Sequence, residues 1–402
     1  MSILDTDLLQ WFHGTFQLHK MLQMDGFLTL LIMGIGYMIV PRFRNIHLAS
    51  TKLAYVSFLL ILASLIFQVI QTVDNDNKNL SLWIMISRIS GIVIFVMMIF
   101  WTLRVRPKTL GLSDFFITLC LFTLTSVNVI DLSGYGYTNS LTHIQLWLLF
   151  PILMIFGIEY KTLPSFLGFI RPRKKIAITS LFFISICIIS GLASVLFMEM
   201  SLLLSIIFNI TLLASALTFA SAIYAFGGFD NRDILRFIKG EKKARYNFTV
   251  IHIKIAFLFL FIGIAMAILF NLVGQYFVFY DFVIHSIAIG FIGLTIALYL
   301  PLMLPPIIGK TINFTNLNKI PLILTIISLS IRAVGDFFII QPSSFSYSFS
   351  LWHIQSSSPQ IFTYFLGSSG WFIVAAMLVF VVMIHKSMKE VDPLPRNNTN
   401  SF

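Results

Sequence analysis

The sequence predicts an all-α polytopic membrane protein of about eleven transmembrane helices, with its N-terminus outside and its C-terminus inside. Three observations predict it. Of 402 residues, 58% are hydrophobic and 11% charged, whereas soluble domains carry roughly 25% charged residues. Apolar runs of the length needed to cross a bilayer core, roughly 20 residues for about 30 Å, recur along the whole chain. The 27 Lys and Arg fall almost entirely into alternate loops. This composition excludes a soluble globular protein. Gly (22) and Pro (13) are ordinary, and the two cysteines, Cys120 and Cys187, lie inside apolar runs, so collagen-like, disordered and disulfide-stapled classes are excluded too.

The elements follow in order. Residues 1–20 form a polar external segment with Asp5, Asp7, His13 and His19 and no basic n-region, so no cleavable signal peptide is expected. The spans cover 21–40, 52–72, 81–103, 112–132, 141–160, 176–197, 202–226, 250–272, 283–304, 320–341 and 361–384. Cytoplasmic loops retain Lys and Arg during insertion. Arg42, Arg44 and Lys52 follow the first span; Arg104, Arg106 and Lys108 the third; Lys161 and the run from Arg171 to Lys175 the fifth. Arg232 to Lys254 follow the seventh, Lys310 and Lys319 the ninth, and the cytoplasmic tail 385–402 the eleventh. The opposite face receives Lys20 and Lys78, while Arg88 and Arg332 lie within spans. The net charge of +11 therefore reads as topogenic, with no nucleic acid as partner and with anionic lipid headgroups as a secondary one. The interior loop 227–249, opening with Gly227-Gly228, reads as an amphipathic connector on the inner surface. Residues 1–402 read as a single transmembrane domain, multi-pass in the cell membrane.

The chain repeats itself. The first span ends in Gly34-Ile-Gly-Tyr37-Met-Ile-Val-Pro41-Arg-Phe43 and the fifth in Gly157-Ile-Glu-Tyr160-Lys-Thr-Leu-Pro164-Ser-Phe166. The ninth keeps the aromatic residue and the proline in Tyr299-Leu-Pro301-Leu-Met-Leu-Pro305. His19, His143 and His285 lie 22, 21 and 20 residues before the matching prolines. Spans 1, 5 and 9 cross in the same direction, so repeat units starting near 19, 143 and 285 place three histidines at the outer face, as in a parallel repeat about an axis along the membrane normal. Tyr, Pro and Phe are also common at any interfacial helix end.

Ionisable groups inside a span are costly and usually face the bundle interior. Asp25, Arg88, Asp131, His143, His285, Arg332 and Asp336 all map to the outer halves of their spans, and the inner halves read as nearly free of charge. Arg332 and Asp336, at i and i+4, share a helix face, where they either pair with each other or bind something together. A histidine there admits three roles: metal or haem ligand, proton relay, or interfacial residue. His47, His252, His353 and His385 lie in loops or at inner ends and receive no role. No Walker loop, C-x-x-C-H, H-E-x-x-H or G-x-S-x-G is present.

The stretch from His19 through Asp25, Gly26 and Gly34 to Pro41-Arg-Phe43 resembles the second helix of the haem-copper oxidase catalytic subunit and, more closely, the matching helix of the NnrS family of haem- and copper-containing membrane proteins. His285-Ser-Ile-Ala-Ile-Gly290-Phe-Ile-Gly293-Leu-Thr through Pro305 is similar to the tenth. Both groups arrange their helices in three arcs of four. The resemblance implies haem b with His19 and His285 as axial ligands, Arg332 as a propionate partner and His143 as a copper ligand; Arg88, at the same depth in its span, is the second propionate candidate. The resemblance also implies a redox partner or quinol as electron source. An oxygen-reducing centre needs six histidine ligands, with a cluster that the sixth span lacks, and only His19, His143 and His285 stand at matching places. The resemblance therefore implies an NnrS-like protein serving nitric oxide handling or electron transfer, and no complete terminal oxidase. Two other readings stay open: a multi-pass transporter or permease, whose substrate would sit at broken helices near the midplane, and a non-catalytic subunit of a respiratory membrane complex.

Overall fold

A computed structural model describes residues 18–73, 78–105, 110–134, 140–167, 171–227, 239–274, 277–307, 310–312, 319–339 and 360–390. The chain is helical nearly throughout. Eleven long helices follow the eleven apolar runs: α1 Leu18–Phe43, α2 Thr51–Val73, α3 Lys78–Val105, α4 Leu112–Ser133, α5 Leu141–Phe166, α6 Lys174–Leu196, α7 Ser201–Ala222, α8 Gly240–Val273, α9 over 277–307, α10 Ile320–Ile339 and α11 Gln360–Ser387. Among the described residues, ten are long and apolar enough to cross a membrane. In hydrocarbon every backbone N–H and C=O must be bonded within the helix, which is why apolar runs of this length fold this way.

Three departures from the sequence reading are physical. The basic stretch after Lys239 is no loop: α8 begins at Gly240 and carries Lys242, Lys243 and Arg245 in its first turns. Residues 228–238 of the expected connector lie outside the described residues. Helix α9 starts at Phe277, ahead of the expected 283, and so takes Asp281 into the helix. Finally, α1 and α9 each contain a π-helical segment, Leu22–Leu28 and Ser286–Gly293. His13, His353 and residues 391–402 of the tail lie outside the described residues.

Within the stretch read as one transmembrane domain, contacts separate two compact units, residues 1–160 with 188–201, and residues 161–187 with 202–402. In the first unit, α2 and α3 pack along their length. The Ser64 hydroxyl donates to the Ile84 carbonyl, and Gly91 lets α3 approach so closely that a β-carbon there would lie 2.9 Å from Ile61. Tyr37 on α1 bonds Ser57 on α2 at 2.7 Å. At the end assigned to the inner face, Arg44 after α1 pairs with Asp114 at the start of α4 at 2.8 Å. Small residues at such crossings allow close backbone approach, the usual means of helix association in lipid. α5 is buried from Leu141 to Glu159, whereas less than a third of the apolar stretches of α2 and α11 is buried.

In the second unit, Gly263 of α8 faces Ile287 of α9 and Gly290 of α9 faces Phe259 of α8, a reciprocal close crossing. Ser180 and Ser215 join α6 to α7 by reciprocal bonds to each other's carbonyls at 3.0 and 3.1 Å. The Ser328 hydroxyl on α10 donates to the Ser369 carbonyl on α11 at 2.7 Å. After α9 and after α11 the chain forms two three-residue strands, β1 Lys310–Ile312 and β2 Met388–Glu390, paired antiparallel. The charge count assigns both of these segments to the inner face, and their pairing puts them at one end.

Candidate functional site

Each unit gathers an aspartate, an arginine and a histidine at the helix ends assigned to the outer face. In the first, α3 supplies Arg88, α4 supplies Asn128 and Asp131, α1 supplies Asp25, and α5 supplies His143 and Trp147. Arg88 Nε donates to Asn128 Oδ1 at 2.6 Å, and Nη2 lies 3.1 Å from both Asp131 Oδ2 and Asp25 Oδ1. Trp147 Nε1 donates to Asp131 Oδ2 at 3.0 Å and its ring underlies the guanidinium at 5.1 Å. His143 Nε2 stands 2.7 Å from Asp131 Oδ1. One carboxylate thus holds an arginine, an indole and an imidazole, and the arginine is stacked as well as paired.

The second cluster is simpler. Asp281 of α9 receives Arg332 of α10 in a bidentate fork, Nε at 2.6 Å and Nη2 at 2.7 Å. His285, one turn beyond Asp281, places Nδ1 2.8 Å from the Asp281 carbonyl and 3.3 Å from its Oδ2. A carbonyl can only accept, so Nδ1 carries the proton and Nε2 is left as the donor atom for a ligand bond, with no partner among the described residues. This is the arrangement that orients ligating histidines in metal and haem proteins. The expected pairing of Arg332 with Asp336 gives way here. A bidentate fork to a carboxylate on the facing helix is geometrically better than an i, i+4 contact, and Asp336 is left buried, its two oxygens without a hydrogen bond among the described residues.

The histidines expected to act together are distributed over both units. His19 is exposed in the first turn of α1, three residues before its π-helical segment, and His285 immediately precedes that of α9. Such segments add a residue to a helical turn and occur frequently at functional sites. Around the α9 segment, Ser286 Oγ and Thr295 Oγ1 are buried with no hydrogen bond among the described residues. Arg332 uses Nε and Nη2 on Asp281, and Arg88 uses Nε on the Asn128 amide oxygen and Nη2 on Asp131 and Asp25, leaving Nη1 of each for a further anion. The second unit therefore offers an imidazole with its tautomer fixed beside a guanidinium edge on the same aspartate, and the first unit an exposed imidazole in the first turn of α1. The described residues do not suit a copper centre. His143 Nε2 faces Asp131, and no three His, Cys, Asp or Glu among the described residues come close enough to hold a metal ion.

Sequence reasoning missed Asp281, because the ninth span was drawn to begin after it. It also passed over Glu159, an acid within the inner half of the fifth run. Glu159 is completely buried, with neither oxygen bonded among the described residues, and its position inside an apolar run was signal enough. His252, given no role, is a buried packing residue with Nδ1 bonded to the Phe248 carbonyl at 2.9 Å.

No family model matches the chain, and no curated protein matches its sequence. Solved structures do match its fold. One is a haem-copper terminal oxidase dimer determined by cryo-electron microscopy, with a TM-score of 0.63 over 93% of this chain and 76% of the oxidase chain, at 12% identity.

Proposed function

We propose that this chain, which shares its fold with a haem-copper terminal oxidase, is a haem-binding membrane protein that serves electron transfer or nitric oxide handling in the manner of the NnrS family. The observation that carries the reading is the pair of π-helical segments. Within an oxidase-type fold, the two such segments among the described residues begin three residues after His19 and immediately after His285, the two histidines that the resemblance marks as axial ligands.

His285 presents Nε2 while its Nδ1–H donates to the Asp281 carbonyl, which fixes both tautomer and ring plane. Asp281 in turn holds Arg332, so imidazole and guanidinium are set by one residue. Arg332 and Arg88 offer Nη1 to propionates. Each already faces carboxylate partners, so a propionate is a further anion in the cluster, and these arginines contribute less to haem retention than the histidines do. When bound, haem b supplies a one-electron redox couple tuned by its axial ligands. A membrane redox partner or quinol is the electron source. No copper step is assigned, since the donor set around His143 does not suit one.

The test is a reduced-minus-oxidised optical spectrum of the purified protein from haem-replete cells, for wild type, His19→Ala, His285→Ala and Arg332→Gln. A b-type spectrum that both histidine variants lose, and that Arg332→Gln retains in reduced amount, is expected. Addition of nitric oxide to the reduced protein then separates the two roles: a spectral shift assigns nitric oxide handling and an unchanged spectrum assigns electron transfer. A colourless wild-type preparation overturns the proposal.

A further inference from the structure

At the inner end of the second unit, the start of α6 meets the end of α7. The Arg173 N–H donates to the Ala222 carbonyl at 2.9 Å, and its guanidinium lies over the Tyr224 ring at 4.5 Å. Tyr224 has φ of 58°, in the left-handed region that non-glycine residues seldom adopt. The Ala225 N–H reaches back to the Ala220 carbonyl at 2.9 Å, closing the end of α7 as a left-handed cap. The turn thereby places the phenol beneath the arginine.

Beside this turn is a cavity of about 200 Å³ lined by Arg173, Leu217, Ala220, Tyr224, Phe226 and Phe261, among others. A water's share of liquid volume is about 30 Å³, so the cavity takes a larger group. Its wall is divided by chemistry. A guanidinium, a phenol and the Ser221 hydroxyl supply its polar lining, while Leu217, Ala220, Phe226 and Phe261 supply alkyl and aromatic carbon, with Phe226 and Phe261 stacked at 6.0 Å. Leu217 and Phe226 are 49% and 48% exposed, so within a bilayer the cavity opens sideways onto lipid. Arg171, Arg173, Lys174 and Lys175 are all exposed at this end, and no acid occurs between residues 160 and 198 to neutralise them.

We infer that this cavity is a binding site for an anionic glycerophospholipid of the inner leaflet. The phosphate pairs with the Arg173 guanidinium, the glycerol region fills the cavity beside Ala220, and the acyl chains leave along Leu217 and Phe261. Charge complementarity selects an anionic headgroup, because each basic residue at a membrane surface adds about fivefold to its retention. The apolar walls select a lipid over a free anion. The inference does not depend on whether haem binds.

Native mass spectrometry of the full chain in detergent, with phosphatidylglycerol, phosphatidylcholine or inorganic phosphate added, tests it. Wild type is expected to retain phosphatidylglycerol over phosphatidylcholine. Arg173→Gln should weaken that retention about fivefold. Ala220→Trp, which fills the cavity and leaves the charges in place, should abolish it. Equal retention of the two lipids overturns the inference, as does undiminished retention in Arg173→Gln. Displacement of the lipid by inorganic phosphate also overturns it, by making the site one for free anions. If Ala220→Trp does not fold, by its melting profile, the headgroup preference of Arg173→Gln decides alone.

Discussion

Asp281 binds one arginine in a fork and accepts from one histidine through its backbone, whereas Asp336, buried nearby on α10, accepts from neither among the described residues. The two acids should therefore respond differently to loss of charge. Removing one member of a buried ion pair leaves the other uncompensated and costs about 3–5 kcal/mol, and with Arg332 24% exposed the cost for Asp281→Asn is expected at ~2–4 kcal/mol. Asp336→Asn should be neutral or stabilising. Unfolding titrations of the two variants in mixed micelles check this, and the reverse order would refute the assigned pairing. Asp25, Arg88, Asp131, His143, His285 and Arg332 were readable as polar groups in outer helix halves; Asp281 and the partnerships were not. Arg332 and Asp336 are four apart and invite pairing on paper, while the true partner comes from 51 residues away, information that only helix packing supplies. Asp281 was lost because a hydropathy boundary stops at an acid, although an acid that meets an arginine on the next helix can sit inside the membrane at little cost.

Helix existence and order were fully legible, since twenty apolar residues in lipid have few alternatives to a helix. The π-helical segments were not: one extra residue in a turn leaves no mark in composition or periodicity, and the stretches LQMDGFL and SIAIGFIG look like ordinary helix. Glycines separate into two kinds by what surrounds them. A β-carbon at Gly157 of α5 would lie 2.7 Å from Ile117 and 3.1 Å from the Ser113 carbonyl on α4, a contact already closed by the Ser113 hydroxyl donating to the Gly157 carbonyl at 2.6 Å. Gly34, exposed on α1, has nothing within 4 Å. Gly157→Ala is thus expected to cost about 1–3 kcal/mol by overpacking, and Gly34→Ala to stay within about 0.5 kcal/mol of wild type. Thermal melts in detergent distinguish them, and equal shifts would contradict the close crossing of α4 and α5.

For the whole molecule, orientation rests on charge, and the contacts agree with its alternation: in the first unit the starts of α1, α3 and α5 meet the end of α4 in one cluster while the segment after α1 meets the start of α4 through Arg44 and Asp114, and in the second unit β1 meets β2. Cys120 and Cys187 are free and fully buried, which makes the native chain a quiet background for thiol labelling. A membrane-impermeant maleimide added to intact cells should modify Ser133→Cys and spare His47→Cys, both of which are at exposed positions; the opposite result would invert the topology. The burial of α5 from Leu141 to Glu159 has a consequence for how the protein is made. That stretch must still cross the bilayer during synthesis, and it does so carrying His143, Gln145 and Glu159, where a charged residue at the centre of a helix adds about 2.5–3.5 kcal/mol to the cost of insertion. Its partners Asp131 and Ser113 precede it in the chain, so they are already in the membrane when it emerges from the ribosome. The order in which the helices are encoded thus supplies α5 with polar partners before it has to enter the membrane.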